Sequence, residues 1–292
     1  MDADLYINEY SFRYNGVDTS KDVVRKVLSF GDVVDEIRRY EDNRMFCDQD
    51  SLCSTILFPD KVTVGDVLFN QYRDKYVNRD FVAIVFSKIF KDCKRKGYTL
   101  SEIKELLEHD DSELISAILV LNEQNDLPQN KQVISTLAGW FNFRRFYLGK
   151  YPISEESFLT ESKKYFKKLI IHSQNKEKYL CEVIDSHSQQ ICKCLGLLND
   201  FFIKEWTEYS GDIFQFLSVF ASRYHLDGAS STKCDGSSFE CDFDEVGKKV
   251  CKLHLKMYKD DNGATNQHAR IYFAPPKDGE ECVYVGFICT HL

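Results

Sequence analysis

Lysine, histidine, arginine and tyrosine residues recur at alternate positions near the end of the chain. They are Lys248, Lys252, His254 and Lys256 in one run, and His268, Arg270 and Tyr272 in the next. Because side chains of a β-strand alternate between its two faces, these residues are predicted to share one face, opposite an apolar one. A third run, Cys282–His291, is apolar enough to form the most buried strand. The pattern predicts a three-stranded antiparallel sheet with one basic face.

Side chains of these types could cleave RNA without a metal ion. Such a reaction needs a base for the attacking 2′-hydroxyl, an acid for the leaving oxygen, and cations for the charge that develops. The candidate catalytic residues are His254, Arg270, Tyr272 and His291, and the candidate nucleic-acid-binding residues are Lys248, Lys252, Lys256 and His268. An ordinary antiparallel sheet with a solvated outer face would show the same alternation, so that interpretation stays open.

The end of the chain also resembles a known family. The segment HARIYF, a turn containing Pro275, Pro276 and Gly279, and the terminal VYVGFICTHL are similar to the ending of RelE-like bacterial mRNA-interferase toxins. The same segments resemble the ending of larger bacterial toxin and phage-defence proteins that carry a helical front part. The resemblance covers about fifty of the 292 residues.

This resemblance implies roles for particular residues. By position, Arg270 would contact phosphate, and His291 would be the terminal acid or base. Lys252, His254 and Lys256 would form the basic strand that precedes them. The implied partners are RNA, or another nucleic acid, and a protein from the same toxin or defence system.

Residues that could bind a metal ion are also present. Five of the cysteines could be assembled into a thiolate site, Cys192, Cys194, Cys234, Cys241 and Cys251, but they lack the paired C-x-x-C arms of a zinc site. The acidic residues between Asp235 and Glu245 could bind Mg²⁺ in a metal-dependent nuclease, but such a stretch is also typical of a solvated loop. We predict no metal and no cofactor.

The elements that must position these residues are predicted to form an α+β protein. We expect a mainly helical domain at residues 1–226, an acidic junction rich in Gly and Ser at 227–247, and an antiparallel β module at 248–292. Within the helical domain, Thr99 and Glu102 have the spacing of a capping box. The apolar run Leu114–Leu121 is placed in a helix at residues 112–123.

Bulk properties limit the function classes. The formal net charge of -8 argues against a whole-surface nucleic-acid binder, although a local basic patch remains compatible with it. Eleven scattered cysteines and an acidic first segment favour a cytoplasmic protein with reduced thiols, and the apolar runs are too short to cross a membrane.

We expect a component of a bacterial toxin or phage-defence system that acts on RNA. The alternative is a non-enzymatic sensor or adaptor that binds a protein or nucleic-acid partner.

Overall fold

The chain folds into two compact units, Met1–Phe143 and Arg144–Leu292. The computed structural model describes residues 2–69, 79–95, 97–108, 114–122, 127, 130–175, 179–209, 211–230, 239–244, 246–257, 269–277 and 279–290. Helices and strands both contribute, so the protein is of mixed α and β class. The division falls between residues 143 and 144, whereas the sequence pattern placed a boundary at residue 226.

The first unit contains a five-stranded sheet whose paired strands are all parallel. Its strands are β1 (Asp2–Ile7), β2 (Met45–Cys47), β3 (Lys94–Arg95), β4 (Leu114–Leu119) and β5 (Val133–Ile134). Their spatial order is β3-β2-β1-β4-β5. The chain therefore moves outwards from β1 to β3 and then returns to the other side of β1 with β4. β1 and β4 are adjacent strands inside the sheet, and the strand order reverses between them.

Helices connect these strands. They are α1 (Ser20–Arg39), α2 (Gln49–Ser54), α3 (Val64–Leu68), α4 (Arg79–Ile84), which continues as a π-helix at Val85–Phe90, and α5 (Leu100–Glu108). The predicted capping box at the start of α5 is confirmed. The Glu102 carboxylate accepts a hydrogen bond from the Thr99 N–H at 2.7 Å, and the Glu102 N–H donates to the Thr99 hydroxyl at 3.3 Å.

The predicted helix at residues 112–123 is wrong, because Leu114–Leu119 forms the central strand β4. A strand inside a parallel sheet is covered on both faces, so its sequence is a continuous apolar run instead of an alternating one. Such a run resembles a short buried helix. The front part of the chain consequently contains a parallel sheet as well as helices.

The second unit begins within α6 (Leu137–Lys150) and contains a second five-stranded sheet. Its helices are α7 (Glu155–Tyr165), α8 (Ile184–Leu197), α9 (Ile203–Glu208) and α10 (Ile213–Arg223), with a π-helix at Leu198–Phe202 between α8 and α9. Its strands are β6 (Leu169–Ile171), β7 (Asp227–Ser230), the hairpin β8 (Glu240–Phe243) and β9 (Gly247–Val250), and then β10 (Leu253–Met257), β11 (Ala269–Ala274) and β12 (Val283–Cys289). The sheet order is β6-β12-β11-β10-β7, and among the described strands β8 and β9 pair only with each other.

The predicted antiparallel arrangement of the three C-terminal strands is confirmed. β11 pairs antiparallel with both β10 and β12, and every residue of β12 is buried. Two further strands extend the sheet, since β7 pairs with β10 and β6 pairs in parallel with β12. The alternating run at 248–258 does not form one strand. It is divided between β9 in the hairpin and β10 in the sheet.

Both faces of this sheet are covered. On the apolar face, the Phe273 ring lies 5.2 Å from the Phe202 ring of the π-helix. On the other face, the hairpin places Phe239 5.5 Å from the Tyr272 ring. Across the described parts of both units, no helix combines the length and apolar character needed to span a bilayer.

Candidate functional site

Four of the candidate residues share one face of the C-terminal sheet. In the register of β10 and β11, His254 lies opposite Tyr272 and Lys256 lies opposite Arg270. We call the surface formed by these four side chains the basic face. Contacts within it are close, because the His254 and Tyr272 rings are 4.9 Å apart and Arg270 donates to the Tyr272 hydroxyl at 3.2 Å.

The basic face is not a solvated surface, and this corrects the expectation from the sequence. Tyr272 is 0% exposed and His254 is 4% exposed. Tyr272 packs in one apolar cluster with Phe239, Cys241, Phe243 and Cys251 of the hairpin region. These two candidate catalytic residues, Tyr272 and His254, are therefore enclosed by protein. Only Lys256 and Arg270 of this face retain partial exposure.

The remaining charge on this face lies at its edge. Asp227 of β7 is opposite Lys256, which is opposite Arg270, so an acid and two cations follow each other across three strands. Arg270 is in turn opposite Cys289 of β12. Burial raises the pKa of the Cys289 thiol to about 12, so it is a neutral side chain near neutral pH.

The other candidates lie elsewhere. Lys248 is exposed on the hairpin and forms an ion pair with Glu240 at 2.6 Å, which raises the pKa of Lys248. Lys252 precedes β10 and its Nζ atom lies 5.8 Å from the ring of Phe214 in α10. His268 and His291 lie outside the described residues. Among the described residues, the predicted basic side chains therefore do not meet in one accessible groove.

The hairpin is held in place by a buried lysine that the sequence analysis did not single out. Lys249 Nζ lies 2.6 Å from the Glu280 carboxylate and 4.2 Å from the centre of the Tyr284 ring. Burial alone would raise the pKa of Glu280, but the Lys249 hydrogen bond helps to lower it below its usual value. At the far end of β8, the ring Nε2 of His172 lies 3.0 Å from the backbone oxygen of Asp242.

Metal binding finds no support among the residues that the structure describes, because no three His, Cys, Asp or Glu side chains there form a metal-binding group. Cys192 and Cys194 are buried in α8, where burial raises the pKa of each thiol. Cys234 lies outside the described residues. A thiol that is neutral and buried in this way is a structural side chain.

A different site lies at the carboxyl ends of β1 and β4 in the first unit. A cleft of about 200 Å³ opens there, between the loop after β1, the first turns of α1 and the end of β4. Its apolar lining comes from Phe12, Val23, Leu57 and Leu121, and its polar lining from Arg13, Asn15, Asp18, Lys26 and Asn122. In open parallel sheets, ligands bind at the carboxyl edge where the strand order reverses, which is where this cleft lies.

Hydrogen bonds hold the polar lining in place. Lys26 Nζ lies 2.5 Å from the Asp18 carboxylate and donates to the Asn122 side-chain oxygen at 3.2 Å. The Asn15 amide also donates to Asp18, at 2.9 Å. These contacts join α1, the loop after β1 and the end of β4 into one preformed polar wall.

The ends of the two central strands are tied directly to each other. The Ser11 hydroxyl donates to the Asn8 carbonyl at 2.6 Å and accepts from the Leu121 N–H at 2.9 Å. The Asn122 amide donates to the Ser11 carbonyl at 2.9 Å. Sequence analysis missed this cleft because it depends on recognising β4 as a strand. The polar segment Asn8–Thr19 directly after an apolar strand was the available indication.

Comparison with protein-family models, with curated proteins and with solved structures finds no match for this chain. The resemblance of the C-terminal segment to RelE-like toxins therefore stays a prediction.

Proposed function

We propose that this protein is a non-enzymatic sensor or adaptor and that it binds a small monoanionic metabolite in the cleft between β1 and β4. The observation that carries the proposal is the position of the cleft, at the carboxyl edge where the strand order reverses. Parallel sheets of many functions use this edge because the loops that follow the strands can contribute polar groups without disturbing the core.

The size and charge of the cleft limit the ligand. Its empty space of about 200 Å³ includes open solvent, so the cleft is shallow and encloses only a small group of the ligand. Arg13 and Lys26 bring two positive charges and Asp18 brings one negative charge. A single carboxylate on the ligand would neutralise the one positive charge that is left over. The carbon skeleton of the ligand would contact Phe12 and Leu121.

The start of α1 disfavours a dinucleotide. In dinucleotide-binding sheets, the free N–H groups of the helix after β1 bind pyrophosphate. Here the capping box occupies that end: the Thr19 hydroxyl accepts from the Asp22 N–H at 3.3 Å, and the Asp22 carboxylate accepts from the Thr19 N–H at 3.2 Å. The carboxylates of Asp18 and Asp22 would also repel a polyanion.

Ligand binding can be tested on the full chain with a panel of small carboxylates, including amino acids, keto acids and dicarboxylates. We expect at least one of them to raise the melting temperature, and Lys26→Met to weaken its binding about 10- to 100-fold, the loss of a charge-assisted hydrogen bond of about 1.5–3 kcal/mol. Arg25→Met is the matched control, because Arg25 lies on the exposed side of α1 and pairs with Asp22. A panel without any binder, or equal binding by both variants, would overturn the proposal.

Action on RNA remains a second candidate, supported by one observation. Lys256 and Arg270 are cross-strand neighbours with partial exposure, so together they could contact a phosphate. The toxin or phage-defence setting rests on the resemblance alone. Expression of the protein by itself, followed by growth and by RNA fragments with and without a chelator, tests this candidate. RNA cleavage that is insensitive to chelator and lost in Arg270→Ala, but kept in Arg223→Ala, would favour it over the sensor.

A further inference from the structure

Two buried thiols meet beneath the hairpin of the second unit. Cys241 belongs to β8 and Cys251 follows β9, and both pack in the apolar layer that covers the basic face. Their sulfur atoms border one gap, at Gly286 of β12. A Cβ atom placed on Gly286 would lie 2.8 Å from the Cys241 sulfur and 2.8 Å from the Cys251 sulfur. Because Gly286 has no side chain, both sulfurs can occupy the space beside it and lie next to each other.

The two thiols differ in character although they are neighbours. A hydrogen bond from Cys251 lowers the pKa of Cys241, and the same contact together with burial raises the pKa of Cys251. The Cys251 sulfur also lies 3.7 Å from the Tyr284 carbonyl. Because the two sulfurs meet at Gly286, Cys241 can attack as a thiolate and Cys251 can follow as the second thiol.

We propose that Cys241 and Cys251 form a reversible disulfide that locks the hairpin over the basic face. This inference goes beyond the proposed function and does not depend on it. The oxidant is a low-molecular-weight disulfide such as glutathione disulfide. The Cys241 thiolate attacks one of its sulfurs and releases one glutathione thiolate, which takes up a proton. Cys251 then loses its proton, attacks the Cys241 sulfur and releases the second glutathione. The two protein thiols are oxidised while one glutathione disulfide is reduced to two thiols.

The hairpin is suited to this control because, among the described strands, β8 and β9 pair only with each other. Their pairing extends over the four residue pairs from Glu240 and Val250 to Phe243 and Gly247. A two-stranded hairpin is marginally stable by itself, so it can lift locally and admit a small oxidant. The disulfide would then hold the hairpin over the basic face. Reduction would restore the opening that exposes His254, Lys256 and Tyr272.

The test is thiol mapping on the native full chain. The protein is equilibrated with glutathione buffers of defined thiol-to-disulfide ratio, alkylated, digested and analysed by mass spectrometry. We expect a peptide link between Cys241 and Cys251 that reverses in reducing buffer, together with slower hydrogen exchange of residues 240–250 in the oxidised form. In Cys251→Ser, Cys241 should instead carry glutathione. Cys289→Ser, which changes a thiol of the same apolar layer, should leave the link intact.

Three results would overturn the proposal. They are complete alkylation of both thiols at every buffer ratio, a link from either one to another cysteine, and exchange in the hairpin that does not respond to oxidation. If the serine variants fail to fold, mapping of the wild-type chain decides the question alone.

Discussion

Lys249→Met should destabilise the hairpin far more than Lys248→Met does. Both lysines lie on β9 and each forms an ion pair at 2.6 Å, but their surroundings differ. The side chains of Lys249 and Glu280 are 6% and 27% exposed, whereas those of Lys248 and Glu240 are 67% and 42% exposed. Methionine keeps most of the lysine stem, so the change removes mainly the charge.

The loss of stability in Lys249→Met follows from the contacts that the change removes. A hydrogen bond between charged groups contributes about 1.5–3 kcal/mol, and the contact of Lys249 with the Tyr284 ring adds about 0.5–1 kcal/mol. Water can partly solvate Glu280 after the change, so we expect about 2 kcal/mol for Lys249→Met. Exposed pairs contribute little, so Lys248→Met should leave the stability of the hairpin nearly unchanged.

Hydrogen exchange of the amides at 241–250 measures this difference, because it reports the free energy of local opening. A loss of about 2 kcal/mol corresponds to exchange about 30-fold faster in Lys249→Met. Lys248→Met should exchange at nearly the wild-type rate. Equal acceleration in the two variants would refute the reasoning, since it would mean that burial of the Lys249 pair does not hold the hairpin.

Three further changes test other contacts. Gly286→Ala should destabilise the second unit by about 1–3 kcal/mol in urea unfolding because its Cβ would meet both thiols, whereas Gly196→Ala, at a helical position with open space, should be neutral or stabilising. The pKa of Glu280 is lowered in the folded state, so its pairing stabilises the fold above the ordinary carboxyl pKa and is lost as pH falls through the folded value. The stability deficit of Glu280→Gln should therefore shrink as pH is lowered from about 7. Arg145→Met should cost about 2 kcal/mol in the same unfolding assay, because it removes the charge-assisted hydrogen bond to Asp200 at 2.6 Å, while the Asp200 side chain is 35% exposed and stays solvated.

The sequence predicted β11 from its alternation and β12 from its apolar run, and both predicted ranges end within two residues of the observed strands. It also placed His254, Lys256, Arg270 and Tyr272 on one face. It did not predict that this face is covered. The covering hairpin joins β8, whose residues were assigned to the junction, to β9, most of whose residues were assigned to the first basic strand. Alternation tells which residues share a face without telling what lies against it.

The parallel sheet of the first unit could not be predicted for a different reason. β2, β3 and β5 have only two or three residues each, too few to show a period of two. β4 is longer, but its burial on both faces removes the alternation that would identify a strand. The cleft depends on the pairing of β1 with β4, which joins residues more than one hundred positions apart.

Hydrogen exchange over the whole chain, with a small carboxylate and with RNA in separate samples, tests most directly where this protein binds its ligand. We predict slower exchange at residues 12–26 and 121–122 with the carboxylate, and unchanged exchange in β10 and β11 with RNA. Unchanged exchange at the cleft with every carboxylate, together with an RNA-dependent change at 253–257 and 269–274, would contradict the account.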